Sequence, residues 1–221
     1  MTPAESRILR DGAAALGVAL DDQAMARLGR FVDLLEVWNR RFRLTGDRDR
    51  RTLLEKHVLD SLAVMPELLE LPLTGPALDI GSGAGFPGIV LACACPDRAL
   101  VLVEPRRRPT SFLLEAIRIV PLPNARAVEA RAEDAARDPT LAKGMALVVS
   151  RALRLDSLLE LSRPFLTTNG VLIAMQTPSV SEKDARERAG PSGLSLIRLR
   201  DYVLPGGEAR RLLVFGLPLE H

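Results

Sequence analysis

The segment from residue 77 to residue 88 constrains the fold of this chain more than any other. Its sequence is Ala-Leu-Asp-Ile-Gly-Ser-Gly-Ala-Gly-Phe-Pro-Gly. The apolar run from Pro76 to Ile80 is typical of a buried parallel strand, and the residues after Pro87 are typical of an apolar helix. Glycines between them let the backbone turn sharply and approach a ligand, beside the free N–H groups of the helix start. The segment therefore predicts a strand–loop–helix unit that binds a nucleotide-like cofactor.

From residue 76 onward, apolar strand candidates alternate with helical segments. The candidate strands are 76–80, 99–104, 125–129, 145–150, 170–176, 195–201 and 211–216. This alternation predicts an α/β fold, a doubly wound, seven-stranded and mostly parallel sheet with helices on both faces. The turn Pro205-Gly206-Gly207 predicts that the last two strands form an antiparallel, hairpin-like pair.

The first part of the chain has a helical pattern instead. Apolar residues recur every three or four positions from Asp21 to Phe42, and Asp21 or Asp22 can cap that helix. A break is expected at Thr45-Gly46, followed by a second helical stretch from Leu53 to Leu69. We predict an N-terminal helical cap (1–72), an α/β domain (73–218) and a tag remnant (219–221).

Composition limits the function classes. The chain has 221 residues, a hydrophobic fraction of 47% and a net charge of +2, so it can build a core but is only mildly basic. Cys93 and Cys95 are two apart in a helix, and the chain has two histidines, so we expect neither a disulfide nor a metal site. Without a membrane-length apolar run, a cytoplasmic protein is expected, and we predict a monomer.

The glycine loop is compatible with two cofactor classes. Gly83, Gly85 and Gly88 satisfy the dinucleotide pattern, which is weak by itself, and Glu104 follows where a carboxylate can accept ribose hydroxyl groups. Asp79 places an acid at the loop, where it would repel a pyrophosphate but attract the sulfonium and ammonium groups of S-adenosylmethionine. We therefore favour S-adenosylmethionine, and an NAD-type oxidoreductase remains the alternative.

Two further strand ends carry polar residues that would meet at the same edge of a parallel sheet. Arg131-Ala132-Glu133 follows the third strand, where Glu133 could meet an adenine amino group beside the Ala132 backbone. Ser150-Arg151-Ala152 ends the fourth strand, and an arginine there needs a partner. We expect that partner to be the cofactor carboxylate, a protein acid or a phosphate.

A resemblance covers nearly the whole chain. Its motifs are Trp38-Asn39 with Leu44-Thr45, His57-Val58-Leu59-Asp60-Ser61, the 79–88 segment, Glu104-Pro105-x-x-Arg108-x-x-x-Phe112-Leu113, Arg131-Ala132-Glu133 and Ser150-Arg151-Ala152. In this order they resemble the glucose-inhibited division protein B family, the small-subunit ribosomal RNA guanine-N7 methyltransferase G family.

The resemblance implies a class I, Rossmann-like S-adenosylmethionine methyltransferase that methylates N7 of a guanine in 16S ribosomal RNA and releases S-adenosylhomocysteine. It implies cofactor contacts at Gly81, Phe86, Ala132, Glu133 and Arg151. With the residues argued above, the predicted cofactor site comprises Asp79, Gly81, Ser82, Gly83, Gly85, Phe86, Glu104, Ala132, Glu133 and Arg151.

The chain departs from the family pattern in two places. Gln176-Thr177 stands where the family usually has a lysine-glycine pair, and Ala209 is inserted before the basic pair Arg210-Arg211. The lost lysine keeps open a second alternative, a non-catalytic RNA-binding protein with an inherited pocket.

The implied reaction needs no general base, because guanine N7 has a lone pair and carries no proton. We therefore predict no catalytic residue, only alignment of the donor methyl group with N7 and exclusion of water. An arginine on N7 would compete for the lone pair, so we assign Arg131 and Arg151 to phosphate or cofactor. Phe86 could equally pack the loop or line a pocket, and His57 is expected to bond a backbone carbonyl.

Arginine clusters predict the RNA surface. Six arginines and two aspartates lie between Arg40 and Arg51, a local net charge of +4, and Arg106–Arg108 form a second cluster. The predicted partner is 16S ribosomal RNA or the small ribosomal subunit, bound through phosphate contacts that weaken with salt. The predicted RNA-binding residues are Arg41, Arg43, Arg106, Arg107, Arg108 and Arg131.

Overall fold

The computed structural model of the protein describes residues 1–71, 73–151 and 153–218. The helices are α1 (Pro3–Ala15), α2 (Asp22–Phe42), α3 (Arg50–Thr52), α4 (Leu59–Leu62), α5 (Met65–Glu70), α6 (Gly88–Ala94), α7 (Arg107–Ile119), α8 (Ala132–Ala135), α9 (Leu155–Ser162) and α10 (Glu182–Ala189), with a π-helix at Leu53–Val58 and a 3₁₀ turn at Gly190–Ser192.

The strands form one seven-stranded sheet in the order β3-β2-β1-β4-β5-β7-β6. They are β1 (Ala77–Ile80), β2 (Leu100–Glu104), β3 (Ala125–Glu129), β4 (Met145–Ser150), β5 (Leu166–Gln176), β6 (Ser195–Val203) and β7 (Ala209–Gly216). β7 runs antiparallel to β5 and β6, and the pairs among β1 to β5 are parallel. The predicted fold class, including the final antiparallel pair, is confirmed.

β5 is longer than expected, because it begins at Leu166 and the predicted strand begins at residue 170. Pairing with β4 shifts register between Met145 and Leu147, which marks a bulge opposite the start of β5. A β-carbon on Gly170 would lie 2.6 Å from the carbonyl oxygen of Met145, so only glycine fits this close approach. The predicted strand covers 170–176, whereas the preceding residues from Leu166 belong to the strand segment that flanks this bulge.

The N-terminal helices agree only in part with the helices that the sequence predicts. Asp21 caps α2 by accepting the Ala24 N–H at 2.6 Å. The single helix expected from Leu53 to Leu69 is instead a π-helix followed by α4 and α5, and Pro66 lies in the first turn of α5. A proline is tolerated at a helix start but breaks a helix interior, which explains the interruption before it.

The sheet separates two apolar clusters. The first combines α1, α2 and the segment 53–64 with α6, α7 and one face of the sheet, and the second lies on the opposite face with α8 to α10. Phe31 of α2 packs edge-on against Phe86 (ring centroids 5.4 Å apart), and Trp38 contacts Phe112 at 5.6 Å. The N-terminal helices therefore form a layer on the sheet that carries the glycine loop. A division into two domains stays a prediction, and its boundary residue Pro72 and the residues 219–221 lie outside the described residues.

Within the described ranges, no helix combines the length and hydropathy needed to cross a membrane.

Candidate active site

The glycine loop has the backbone conformation that its sequence predicts. Gly81, Gly83 and Gly85 have φ values of +75°, +52° and +89°, in the left-handed region that side chains disfavour. A β-carbon on Gly88 would lie 2.1 Å from the Leu102 side chain, so the start of α6 packs directly onto β2. The loop is thereby held at the carboxyl end of β1.

Asp79 lies beneath this loop. Its carboxyl group is fully buried and accepts the Gly88 N–H at 3.0 Å, while its other oxygen has no partner among the described residues. Burial raises the pKa of Asp79 to about 7. Ser82 is also buried, and its hydroxyl donates to the Asp79 carbonyl oxygen at 3.1 Å. These contacts favour a role of both side chains in holding the loop, and the proposed attraction of Asp79 for a cationic donor gains no support from its position.

Glu104 ends β2 with its carboxylate against the loop. Its Oε2 atom accepts the Gly83 N–H at 2.9 Å. Its Oε1 atom accepts two hydrogen bonds from Arg106, one from the backbone N–H at 3.1 Å and one from Nε at 2.7 Å. The structure therefore brings Gly83 and Glu104 together as expected. It also gives Arg106, predicted as an RNA contact, a partner inside the candidate cofactor site, which raises the pKa of Arg106.

A cavity of about 450 Å³ opens at the carboxyl ends of β1 and β2, within the roughly 300–1,000 Å³ typical of small-molecule sites; Glu104 is outside its described lining, although its chain neighbours Val103 and Pro105 belong to it. This first cavity is lined by Ile80, Gly81, Val103, Pro105, Arg106, Arg131, Ala132, Glu133, Leu153 and Leu161. Gly81, Ala132 and Glu133 were predicted as cofactor residues. The sequence did not predict the apolar residues of this lining, although Pro105 directly follows Glu104, which it did predict.

A second cavity of about 370 Å³ adjoins the first, and Leu153 lines both. The second cavity is lined by Lys56, His57, Asp60, Arg151, Leu153, Met175, Gln176, Thr177 and Arg210. Both segments that depart from the family pattern, at Gln176-Thr177 and at Arg210, therefore meet in this one place.

A buried polar network forms one wall of the second cavity. Asp60 is 3% exposed and accepts the Tyr202 hydroxyl at 2.5 Å and Arg151 Nη1 at 3.3 Å. Arg151 Nη2 lies 2.8 Å from His57 Nδ1, and His57 Nε2 lies 2.8 Å from Asp47 Oδ2. Of the three partners considered for Arg151, a protein acid is the one found.

The network fixes the protonation of His57. Arginine can only donate, so Nδ1 accepts from Arg151 and the proton sits on Nε2, where it is donated to Asp47. Burial and the Arg151 charge lower the pKa of His57, and the hydrogen bond from His57 lowers the pKa of Asp47. The expectation that the His57 ring bonds a backbone carbonyl is wrong, because the π-helix turns the ring toward Asp47 and Arg151.

Phe86 links the loop to this network. Its ring is 4% exposed, stacks on His57 at 5.0 Å and lies 5.0 Å from the Arg151 guanidinium. Phe86 is outside the described lining of both cavities. These contacts favour loop packing over a direct pocket role.

The arginine clusters come together only in part. The guanidinium groups of Arg41 and Arg108 each lie 5.9 Å from the centre of the Phe42 ring, and Arg43 and Arg107 are exposed. Arg50 instead forms ion pairs with three carboxylates, those of Glu5, Asp33 and Glu36. The exposed charge near α2 is therefore smaller than the count of arginines suggests. In the described part of the chain, no cluster of three or more acidic, histidine or cysteine side chains could hold a metal ion.

Comparison with known proteins gives one consistent result. A family model described as "GidB: rRNA small subunit methyltransferase G" matches residues 24–196. The chain is 34% identical to "Ribosomal RNA small subunit methyltransferase G" of Geobacter sp. (strain M21), over 98% of this chain and 99% of that protein. It is 35% identical to the protein of that name from Ralstonia nicotianae, over 95% and 94%.

Solved structures agree on the fold. A TehB-like SAM-dependent methyltransferase from Corynebacterium glutamicum superposes with a TM-score of 0.54 at 16% identity, covering 86% of this chain and all of that one. The class I S-adenosylmethionine methyltransferase fold is confirmed, and the dinucleotide oxidoreductase alternative finds no support. The chain belongs to the GidB family of rRNA small subunit methyltransferase G proteins.

Proposed function

We propose that this protein transfers a methyl group from S-adenosylmethionine to N7 of a guanine in 16S ribosomal RNA, with the cofactor in the first cavity and the target base in the second. The observation that carries the proposal is the adjacency of the two cavities, which share Leu153 at the carboxyl ends of the strands. In a doubly wound sheet, ligands bind at that edge. Membership of the GidB family supplies the reaction class.

The residues of the first cavity suit this cofactor. Gly81, with its positive φ, lets the loop approach a ligand, and Glu133 could accept an adenine amino group beside the Ala132 backbone. Glu104 is outside the described lining, but it stands between the lining residues Val103 and Pro105 with its carboxylate bonded to the Arg106 side chain, and it could accept ribose hydroxyl groups. Ile80, Val103 and Leu153 provide apolar surface for the adenine and the alkyl part. When bound, S-adenosylmethionine supplies an electrophilic methyl group on a positively charged sulfur.

The second cavity offers groups that suit a guanine. Lys56, Gln176 and Arg210 can donate hydrogen bonds to its O6 atom, and the Gln176 side-chain oxygen can accept from its N–H groups. Arg151 is directed toward Asp60 and His57, so it is held by protein partners and does not compete for the N7 lone pair. With no proton to remove from N7, these residues act by placing the base and excluding water.

The proposed RNA surface consists of arginines, of which Arg131 lines the first cavity. We assign phosphate contacts to Arg41, Arg43, Arg107, Arg108 and Arg131, with the exposed Phe42 ring, which both Arg41 and Arg108 contact, available for base stacking. The proposal includes a monomer. It also includes action in the cytoplasm, since ribosomal RNA is the proposed substrate.

Labelled methyl transfer tests the function. Small subunits from a strain that lacks this enzyme, and protein-free 16S ribosomal RNA, would be incubated with the protein and methyl-labelled S-adenosylmethionine. The product would be mapped by cleavage at N7-methylguanine. We expect one labelled guanine. Tight RNA and cofactor binding without transfer would instead support the non-catalytic alternative, and Gln176→Lys would show whether the missing lysine is the cause.

A further inference from the structure

We propose that the cofactor displaces the Arg106 side chain from Glu104, and that the displaced guanidinium then contacts an RNA phosphate, so that cofactor and RNA binding reinforce each other. This inference rests on the proposed function. It adds to that function a residue that couples the two binding events.

The Glu104 carboxylate is almost fully occupied by the protein itself. A carboxylate offers about four lone-pair positions. Oε1 accepts both the backbone N–H and the Nε of Arg106, while Oε2 accepts the Gly83 N–H at 2.9 Å and lies 3.5 Å from Arg106 Nη2. Glu104 is 1% exposed, so solvent cannot exchange freely with these partners.

A ribose diol needs two acceptor positions on the same carboxylate. The Gly83 N–H and the Arg106 N–H belong to the backbone of the loop and of the start of α7, and neither can leave without refolding those segments. The Arg106 side chain is the flexible partner: 69% of its surface is exposed, and it lines the first cavity. The ribose therefore competes with the Arg106 guanidinium.

The displaced guanidinium has a destination. Arg106 immediately precedes α7, whose first residues Arg107 and Arg108 are exposed at the proposed RNA surface. Released from Glu104, Arg106 adds a free positive charge beside them, and a phosphate would neutralise it. By linkage, a cofactor that increases RNA affinity in this way is itself bound more tightly by the same factor when RNA is present.

The first measurement uses S-adenosylhomocysteine alone and calorimetry. Arg106→Ala removes the competitor of the ribose, and we expect about 1.5- to 5-fold tighter binding, the range for an ion pair screened by solvent, since the Arg106 side chain is 69% exposed. Arg107→Ala removes the same charge from the same surface, but Arg107 is not among the described hydrogen-bond partners of Glu104, so its affinity for S-adenosylhomocysteine should equal that of the wild type. Unchanged or weaker binding by Arg106→Ala would overturn the proposal.

The second measurement is the salt dependence of RNA binding, with and without saturating S-adenosylhomocysteine. One additional phosphate contact steepens the slope of log K against log salt by about 0.7 to 0.9. We expect this steepening in the wild type and in Arg107→Ala, and its loss in Arg106→Ala. Equal slopes with and without S-adenosylhomocysteine in the wild type would overturn the coupling. Failure of every variant to bind S-adenosylhomocysteine would instead reject the proposed function, and the coupling with it.

Discussion

The two cavities are built in different ways. The first is lined by residues at the ends of β1 and β2 and by residues of the segments that follow them, between Ile80 and Leu161. The wall of the second joins distant elements, since the Arg151–His57 contact spans 94 residues and the Tyr202–Asp60 contact spans 142. The cofactor site therefore draws on the strands β1 and β2 and the segments that follow the parallel strands, whereas the proposed base site exists only once helices, sheet and hairpin have packed together.

The largest expected effect concerns the acid beneath the loop of the first cavity. Asp79 has its pKa raised from 3.8 to about 7, so the folded state binds a proton that the unfolded state releases. The resulting stabilisation is complete below pH 4 and is lost as pH rises through 7, amounting to at most roughly 4 kcal/mol. Asp79→Asn imitates the protonated acid, so its unfolding free energy should lack this fall between pH 5 and 8 in urea titrations.

His57, beside the second cavity, provides the control because its dependence has the opposite sign. Its pKa is lowered from 6.5, so its contribution is complete above pH 6.5 and is lost as pH falls below that value. Replacing His57 with glutamine should therefore leave the loss of stability toward pH 8 in place. If the stability of the His57→Gln variant did not fall between pH 5 and 8, the buried, protonated state of Asp79 would be contradicted.

The difference in construction between the two cavities also explains which features the sequence could predict. Strand ends, glycines and the acid at Glu104 are local signals, and each placed its element correctly, because the carboxyl ends of parallel strands meet at one edge of the sheet. The directions of the side chains were harder to predict from the sequence. Arg106 was assigned to RNA because it stands beside Arg107 and Arg108, yet its side chain turns back to Glu104.

The second cavity could not be derived from spacing. Tyr202 lies on the edge strand β6 and carries no motif, and it reaches Asp60 only because the β6–β7 pair packs beside the N-terminal helices. The π-helix that directs His57 has no sequence signal, since Leu53–Leu69 has an ordinary helical apolar pattern. Gln176 and Arg210 stood out only as departures from the family, and the structure brings both to one cavity.

The next largest effect is expected for Asp60→Ala. Removing this buried carboxylate leaves the Tyr202 hydroxyl without its partner and the partly buried Arg151 without its counter-charge, which should cost about 3 kcal/mol of stability. Asp156→Ala removes an exposed acid whose partners, Arg154 and Arg188, are also exposed, and should cost less than about 1 kcal/mol. Equal midpoints for the two variants in urea would show that the network contributes no stability.

Glu104→Ala tests the first cavity through its affinity for S-adenosylhomocysteine. Loss of the charge-assisted hydrogen bonds should weaken S-adenosylhomocysteine binding by roughly 10- to 150-fold, or about 1.5–3 kcal/mol. Glu129→Ala is the matched control, because Glu129 pairs with Glu104 in the strand register but is exposed at the end of β3. Calorimetry should show weaker binding for Glu104→Ala alone. The same affinity in both variants would reject Glu104 as a cofactor contact.

The smallest effect is expected for Tyr202→Phe, which deletes one hydroxyl at the second cavity and preserves the ring. Asp60 keeps its ion pair with Arg151, so the loss should be about 0.5–1.5 kcal/mol of stability, less than for Asp60→Ala. Since Tyr202 has no contact with the first cavity in the described structure, S-adenosylhomocysteine affinity should not change. Methyl transfer to small subunits should fall, because Arg151 and Asp60 lose part of the support that holds the wall of the base site. A variant that loses cofactor affinity instead would show that the two cavities are coupled more closely than their separate construction implies.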